Sequence, residues 1–376
     1  MAGIYIHIPF CKQRCGYCDF YSHTNLQLKQ RYVDTLCKEI ELRKHYLAPN
    51  ETIETLYFGG GTPSLLNTSD FEQIYNALST HFSLHNLVEI TVEVNPDDVN
   101  DLLLDTLKSI SCNRLSMGIQ SFFDHELTVL GRRHTAQQAI EAVNLAQQHG
   151  FSNISIDLMY ALPNQTIQTW RETLKLAISM NVQHISAYHL TYEPGTLFYK
   201  QKTNKIITEK DEEESIQLYE ILIQSLTEAG YNQYEISNFS LPCYESKHNS
   251  SYWKNTPYIG LGASAHSYNI ASRQWNIASV ITYCKQIEEN KSFFEIEFLT
   301  EKEKYNDFII TSLRTSKGVD LQKLTTLFGE KSRSYFIQQC QPYVHTNMLC
   351  EKDNFVRLTQ KGIFVSDSIL ETLIDV

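Results

Sequence analysis

Short apolar runs alternate with longer helical stretches six times in the first 190 residues of this 376-residue chain. Each run is four to seven residues long, and most are rich in β-branched or aromatic residues, as are strands that are buried on both faces of a parallel sheet. Parallel strands need crossover connections, which the helical stretches supply. The six predicted strands are Ile4–Ile8, Thr55–Phe58, Val88–Val94, Arg114–Gly118, Asn153–Leu158 and His184–Leu190.

The stretches between these runs carry helical spacing and helix-end signals. One of them begins at Thr135, which can cap a first turn, and stops at Gly150. Repeated strand–helix alternation predicts an α/β fold with a parallel sheet and right-handed crossovers. Periodicity leaves open whether the sheet closes partly as a barrel or stays open and doubly wound. The predicted helices are Leu28–Tyr46, Ser69–His81, Thr135–His149 and Thr166–Met180.

The pattern changes after Leu190. A long helix with an acidic start is predicted over Thr208–Ala229, and the stretch 231–275 has weak periodicity. From about residue 300, two helices and a short β-like tail predict a small winged-helix-like module. Ten basic and ten acidic residues lie in 300–376, so we expect this module to pack or dock rather than to bind DNA.

The overall charge and the cysteine content exclude several classes of protein. Lys plus Arg is 32 and Asp plus Glu is 43, a formal net charge of −11, which argues against a general binder of nucleic acid or anionic membranes. No apolar run reaches the roughly 18 residues of a membrane-spanning helix, and the N-terminus lacks a secretion signal. An odd number of cysteines, nine, is typical of cytosolic thiols and metal ligands. We therefore expect a cytoplasmic protein.

Three cysteines follow the first predicted strand within eight residues, in the sequence FCKQRCGYC. Clustered thiolates favour a soft metal. A structural zinc site needs four ligands, and the fourth would have to come from His7 or His23. A cuboidal iron–sulfur cluster on three cysteines leaves one iron open for a small molecule. The spacing favours the cluster over zinc or incidental core thiols, with Cys11, Cys15 and Cys18 as ligands; the other six cysteines are expected to be scattered core residues.

Polar or backbone-exposing residues stand at the carboxyl ends of all six predicted strands, the edge where parallel α/β folds bind ligands. Glu93 and Asp157 lie within apolar strands, where an unpaired carboxylate is costly; pairing with Arg114 or Arg132 is the alternative to ligand binding. Arg132 could also bind a ligand carboxylate bidentately. One shared site explains this distribution better than core packing. The residues are the cysteine loop, Gly59, Gly60, Gly61, Thr62, Glu93, Gln120, Asp157, Tyr188, His189 and Thr191.

With these residues assembled, the sequence resembles the radical S-adenosylmethionine (SAM) proteins, on the CxxxCxYC loop and the GGGTP turn. IHIPFCKQRCGYCDF, YFGGGTPS, VEVNP, MGIQSF, LGRRH and IDLMYALP are similar to the oxygen-independent coproporphyrinogen III oxidase family. HNSSYW (248–253) and YIGLGASAHSY (258–268) resemble its heme-chaperone branch, HemW. The resemblance implies a partial (β/α)6 barrel with a C-terminal, mainly helical domain.

The resemblance also implies cofactors and their ligands. The three cysteines would bind a [4Fe–4S] cluster whose open iron takes the amino and carboxylate groups of SAM, and one-electron reduction would cleave SAM to methionine and a 5′-deoxyadenosyl radical. Two tyrosines would flank SAM near the cluster, and the glycine turn would contact its amino-acid part. By position, the SAM residues are Tyr5, Tyr17, Gly60, Gly61, Thr62, Glu93, Gln120, Arg132, Asp157 and Thr191.

Two departures separate this sequence from the oxidase pattern. Phe20 stands where the oxidase has a fourth cysteine, and the chain starts only four residues before Tyr5, without the oxidase's N-terminal extension. Both are expected in the heme-chaperone branch. The resemblance therefore implies binding of heme and its transfer to an unidentified acceptor protein, with an electron donor as a second partner; decarboxylation of coproporphyrinogen III is the alternative. No nucleic acid and no membrane span are expected, and peripheral membrane contact is left open.

Heme would have candidate ligands in the HNSSYW and GASAHSY segments. His248 and His266 are candidate axial ligands, because imidazole is a common ligand of heme iron, and Tyr252 and Trp253 could stack on the macrocycle. The alternative is that this segment covers the barrel and its histidine is hydrogen-bonded to backbone. The expected domains are a radical SAM barrel core over 1–235, a lid and connecting region over 236–299, and a winged-helix-like C-terminal domain over 300–376.

Overall fold

Six parallel strands lie side by side, in chain order, at the centre of one sheet in the computed structural model, which describes residues 1–375. A doubly wound sheet would reverse its strand order at a switch point, whereas a barrel keeps the chain order. The order therefore confirms the barrel. The strands are β1 (Ala2–Ile8), β2 (Ile53–Gly60), β3 (Glu89–Val94), β4 (Arg114–Gln120), β5 (Ile154–Tyr160) and β6 (His184–His189).

Six further strands, none of them predicted, extend this sheet on both sides. On one side, β9 runs parallel to β1, and β10, β11 and β12 follow beyond β9, each antiparallel to its neighbour. On the other side, β8 pairs antiparallel with β6, and β7 pairs antiparallel with β8. Within residues 1–375 the outermost strands, β12 and β7, do not pair with each other, so the barrel is open. The added strands are β7 (Asn232–Glu235), β8 (Asn238–Ser240), β9 (Tyr258–Leu261), β10 (His266–Tyr268), β11 (Ser272–Asn276) and β12 (Phe294–Phe298).

Helices fill the connections, and their predicted caps are present. Thr135 and Thr166 each accept a hydrogen bond from the third residue of the helix that follows. Before residue 300 the predictions missed five helices, α3, α4, α7, α9 and α10, each only seven to nine residues long. No helix of the described chain is both long and apolar enough to cross a membrane. The helices are α1 (Lys29–Leu42), α2 (Thr68–His81), α3 (Asp101–Ser109), α4 (Asp124–Leu130), α5 (Ala136–Gln148), α6 (Ile167–Ser179), α7 (Leu197–Thr203), α8 (Glu212–Glu228), α9 (Lys247–Trp253) and α10 (Val280–Glu288).

The C-terminal part packs round a hydrophobic cluster of its own. It combines helices with a three-stranded antiparallel sheet, as the winged-helix-like pattern predicts. The boundaries at 235 and 299 stay a prediction, and the large sheet itself continues past residue 235 because β8 pairs with β6. The elements are α11 (Glu301–Leu313), β13 (Val319–Asp320), α12 (Leu321–His345, interrupted at Gly329), β14 (Leu349–Lys352), β15 (Phe355–Leu358), α13 (Gln360–Ile363) and α14 (Ser366–Leu373).

A buried polar network fastens α1 to the added strands. The fully buried Glu39 accepts hydrogen bonds from Gly262 N at 2.6 Å, Asn276 Nδ2 at 2.6 Å and Tyr283 Oη at 2.5 Å. Arg43 donates to Glu39 at 3.4 Å and to the Gly260 carbonyl at 2.9 Å. A buried charge is tolerated only when its hydrogen bonds are satisfied. Glu39 and Arg43 therefore stabilise the backbone at β9, where they bond Gly260 and Gly262, and keep it beside β1.

Candidate functional site

The carboxyl ends of the central strands surround one cavity of about 680 Å³. Residues at or next to the carboxyl ends of all six central strands line it, as expected if the ends of parallel strands share one site. The three cysteines, all ten predicted SAM residues and two of the four heme candidates are among them. From the predicted set the lining residues are Tyr5, Cys11, Cys15, Tyr17, Cys18, Gly60, Gly61, Thr62, Glu93, Gln120, Arg132, Asp157, Thr191, His248 and Tyr252.

The cysteine loop follows β1 and is tied to the other loops of the cavity through its sulfur atoms. Thr62 Oγ1 donates to Cys11 Sγ at 3.5 Å, and Arg132 Nη1 donates to Cys15 Sγ at 3.6 Å. Burial raises the pKa of Cys18 to about 11 and also raises that of Cys11. Thiolates in this loop therefore require a positive partner, such as a bound metal, to form near neutral pH.

The glycine turn after β2 packs directly against β1. Gly60 has a φ of +108°, and a Cβ there would lie 2.5 Å from His7 Cε1. A Cβ on Gly61 would lie 2.8 Å from the Phe10 carbonyl oxygen and 2.9 Å from that of Ile8. Neither position accommodates a side chain without movement, so the turn can only present its backbone to the cavity.

Two half-buried carboxylates face the cavity with few partners of their own. Glu93 accepts hydrogen bonds from Tyr57 Oη at 2.7 Å and Gly60 N at 3.1 Å, yet burial raises its pKa to about 7. Burial also raises the pKa of Asp157, which accepts a bond from Ser116 Oγ at 3.5 Å. In the described chain neither carboxylate forms a salt bridge. Both can therefore accept hydrogen bonds from the hydroxyl groups of a ligand.

Arg132 reaches the cavity from the segment after α4. Its Nη2 donates to Asn95 Oδ1 at 2.7 Å and to the Gly118 carbonyl at 2.5 Å, whereas its buried Nε has no partner among the described residues. An unpartnered buried donor is costly unless a ligand completes it. Gln120, at the end of β4, has a φ of +72° where the strand shifts register against β5. Strained backbone of this kind concentrates at functional sites.

Tyr17 belongs to the cysteine loop, Tyr5 lies on β1, and Thr191 is at the exposed rim. Tyr5 Oη is hydrogen-bonded to His7 Nδ1 at 3.0 Å, and His7 Nε2 is bonded to the Tyr21 carbonyl at 3.2 Å. Burial lowers the pKa of His7 to about 4, so this ring is neutral and its Nε2 donates to Tyr21. His7 thus connects Tyr5 of β1 to the backbone just after the cysteine loop.

His248 lies on α9, beneath the same cavity. Its Nδ1 is hydrogen-bonded to Thr55 Oγ1 at 2.8 Å and its Nε2 to Tyr252 Oη at 2.8 Å, and its ring stacks on Tyr57 with centroids 5.0 Å apart. Burial lowers its pKa to about 3. To bind iron, His248 would have to give up one of these hydrogen bonds; its role as a heme ligand stays a prediction.

The other two heme candidates lie away from the cavity lining. Trp253 packs against Arg314 of the C-terminal part, with the guanidinium 5.4 Å from the ring centroid. His266 is exposed and stacks on Trp275 at 6.3 Å. The structure therefore brings His248 and Tyr252 together and leaves Trp253 and His266 outside.

Several lining residues were not predicted from the sequence. Asn95 donates from Nδ2 to Thr62 Oγ1 at 3.2 Å besides accepting from Arg132. Its signal was its position directly after β3, in the VEVNP motif. Tyr57, Ser116 and Gly118 also line the cavity. Ser116 and Gly118 each lie an even number of residues from Gln120 on β4, so alternation along that strand would have found them.

Comparison with known proteins gives two matching family models. Residues 5–177 match the model of the Radical SAM superfamily, and residues 299–365 match that of the HemN C-terminal domain. The first match spans the barrel from β1 through β5, and the second spans most of the C-terminal part.

Curated proteins match along almost the whole chain. The chain is 33% identical over 368 residues to the heme chaperone HemW of Lactococcus lactis subsp. lactis (strain IL1403), covering 98% of this chain and 96% of that protein. It is 31% identical over 372 residues to the heme chaperone HemW of Bacillus subtilis (strain 168), covering 98% of each.

Among solved structures, the coproporphyrinogen III oxidase HemN from Escherichia coli, described as a radical SAM enzyme, superposes with a TM-score of 0.86. The alignment covers 99% of this chain and 90% of that one, at 24% sequence identity. At this identity the likeness shows the fold alone.

Proposed function

Because this chain belongs to the HemW family of heme-chaperone radical SAM proteins, we propose that it binds a [4Fe–4S] cluster, SAM and heme, and delivers heme to an acceptor protein. The single observation that carries the proposal is the shared cavity. The three cysteines and the ten residues that the sequence predicts for SAM line one space of about 680 Å³, a size within the usual range for a small-molecule site.

Cys11, Cys15 and Cys18 are the cluster ligands in this proposal. In the part of the chain that the structure describes, no three His, Cys, Asp or Glu side chains gather round one point as the ligands of a single metal ion must. In a cuboidal cluster each cysteine binds a different iron, so its ligands need not converge. Of the two possible fourth ligands of zinc, His7 has both nitrogens hydrogen-bonded, and His23 accepts at Nδ1 from Asn25 N. The donor set therefore supports a cluster over zinc.

SAM fits beside the cysteine loop in chemical terms. The unpartnered Nε of Arg132 is available to a carboxylate, the glycine turn offers backbone groups at close approach, and Glu93 and Asp157 can accept hydrogen bonds from ribose hydroxyls. When bound next to a reduced cluster, SAM supplies one-electron cleavage of its sulfonium C–S bond. The chain's own residues bind and orient it and exclude water.

Anaerobic reconstitution with iron and sulfide tests the cluster. The wild-type protein and Cys112→Ser, which alters a buried cysteine outside the cavity lining, should both gain iron, sulfide and the absorbance of a cluster. Cys15→Ser should gain neither metal nor absorbance. Equal iron and sulfide in Cys15→Ser and Cys112→Ser would refute the ligand assignment, and zinc without iron in wild-type protein purified without air would refute the cluster.

Heme transfer is tested with the same preparation. Heme added to the reconstituted protein should bind with saturable spectral changes and pass to an apo-hemoprotein separated from it afterwards by size. Failure to bind heme, or retention of all heme in the presence of the acceptor, would refute the chaperone function.

Oxidation of coproporphyrinogen III is the second candidate, since the solved structure of that oxidase shares this fold. Phe20, at the position of the oxidase's fourth cysteine, is 65% exposed at the cavity mouth and offers no thiol there. Incubation with SAM, dithionite and coproporphyrinogen III should therefore yield no protoporphyrinogen IX. Turnover of this substrate would favour the oxidase.

A further inference from the structure

A short turn after β3, Asn95 to Asp98, contacts three segments of the site at once. At its end, the Asp98 side chain is only 4% exposed. It accepts hydrogen bonds from Lys12 Nζ at 2.7 Å and Ser64 Oγ at 3.0 Å, and Arg133 Nη2 lies 3.5 Å away. Asp98 is therefore a buried carboxylate shared by three partners that lie far apart in the sequence.

Each of these partners is a near neighbour of a residue that lines the cavity. Lys12 follows Cys11 directly, Ser64 comes two residues after Thr62, and Arg133 follows Arg132. A displacement of any partner side chain acts on its neighbour through one or two peptide units. Asp98 thus connects the cysteine loop, the glycine turn and the Arg132 segment without itself lining the main cavity.

The same turn reaches Arg132 and Thr62 by a second route. Asn95 accepts from Arg132 Nη2 at 2.7 Å and donates to Thr62 Oγ1 at 3.2 Å, and its backbone N donates to Ser64 Oγ at 3.3 Å. Asp97 adds only an ion pair with Arg133, at 2.7 Å. Asp98 is the member of the turn whose side chain also holds the cysteine loop.

We propose that Asp98 is a positioning residue, which fixes Cys11 and Arg132 relative to each other. It thereby determines the affinity and geometry with which SAM binds at the cluster. The inference rests on the proposed function, because it concerns the arrangement of that site. Outer groups that orient metal ligands commonly change affinity or activity when altered, by about 10- to 100-fold. Asp98→Asn retains the shape of the side chain and removes the charge that Lys12 and Arg133 share.

The test compares Asp98→Asn with Asp105→Asn, which alters an exposed carboxylate on α3, after anaerobic reconstitution of both. The dissociation constant of SAM per assembled cluster, and the electron paramagnetic resonance spectrum of the reduced cluster with and without SAM, are measured. Asp98→Asn should weaken SAM binding at least about tenfold and alter the SAM-dependent spectrum. Asp105→Asn should match the wild type in both.

A role in overall stability alone would lower cluster yield but leave the assembled clusters with the wild-type spectrum and SAM affinity, and this result overturns the proposal. If Asp98→Asn does not fold, Lys12→Met decides, because Lys12 is 45% exposed and its loss breaks the same contact from the solvent side. Wild-type affinity and spectrum in Lys12→Met would then overturn it. A wild-type protein that assembles no cluster refutes the proposed function instead.

Discussion

Gly60→Ala tests whether Gly60 is a glycine because a side chain there would strain the backbone and collide with His7. The added methyl group would lie 2.5 Å from His7 Cε1 and 2.6 Å from His7 Nδ1. The His7 ring cannot swing aside freely, because both of its nitrogens are hydrogen-bonded, to Tyr5 Oη and to the Tyr21 carbonyl. The substitution therefore strains the backbone and also displaces a ring that supports the cysteine loop.

The cost of Gly60→Ala can be worked from these two contributions. A left-handed φ, here +108°, costs a residue with a Cβ about 1–2 kcal/mol. Each of the two hydrogen bonds of His7 contributes about 0.5–1.5 kcal/mol, and a shift of the ring weakens both. We therefore expect a loss of about 2–5 kcal/mol in the free energy of unfolding.

Gly195→Ala is the matched control. Gly195 has a φ of +94° and is exposed, and a Cβ there would meet no atom within 4 Å, so only the backbone strain of about 1–2 kcal/mol applies. Urea unfolding of both variants and the wild type, in the same metal-free state, gives the comparison. Equal losses of unfolding free energy in the two variants would refute the role of His7. It would also be refuted if Gly60→Ala lost more stability than Gly195→Ala but still recovered the cluster as fully as the wild type.

Three further outcomes follow from buried or half-buried groups. Burial raises the pKa of Glu93 from about 4.5 to about 7. The folded protein therefore holds a proton that the unfolded chain releases, and the free energy of unfolding falls by up to about 3 kcal/mol as pH rises through this interval. Glu93→Gln should lack this fall, and parallel stability curves of the two proteins would contradict the assignment. Glu39→Ala, which leaves Arg43 buried without its carboxylate, should cost about 3–5 kcal/mol in thermal or urea unfolding, and a loss below about 1 kcal/mol would contradict the buried network. His248→Ala should weaken heme binding in a spectral titration with cluster content unchanged, whereas His266→Ala, on the exposed surface, should not; equal heme affinity in both variants would remove His248 from the site.

The fold was predictable to the extent that local pattern determines it. All six central strands contain short apolar runs because both of their faces are covered, and the observed ends differ from the predicted ones by two residues at most. The strand β9 was not predictable in this way. Its four residues, Tyr258–Leu261, are followed by a Gly-, Ala- and Ser-rich stretch, and its place beside β1 depends on the distant Glu39–Arg43 network.

The lining of the site was predictable for a different reason. The carboxyl ends of parallel strands meet at one edge of the sheet, so a polar residue at such an end faces the site that these ends share. The contacts that hold those residues in place were not predictable, because they join segments with no local relation. Asp98 and Lys12 are 86 residues apart in sequence, and no periodicity in either segment indicates the pair.

The heme candidates show where inference from strand ends stops. His248 and His266 lie on either side of β9, and once β9 pairs with β1 the chain must place the two histidines differently. His248, on the helix before β9, is buried against Thr55 and Tyr57 of β2, whereas His266 begins β10 and is exposed beyond the barrel. In the sequence alone both histidines are equally plausible ligands. Only the pairing of β9 distinguishes them, and of the two histidines it leaves His248 alone at the cavity.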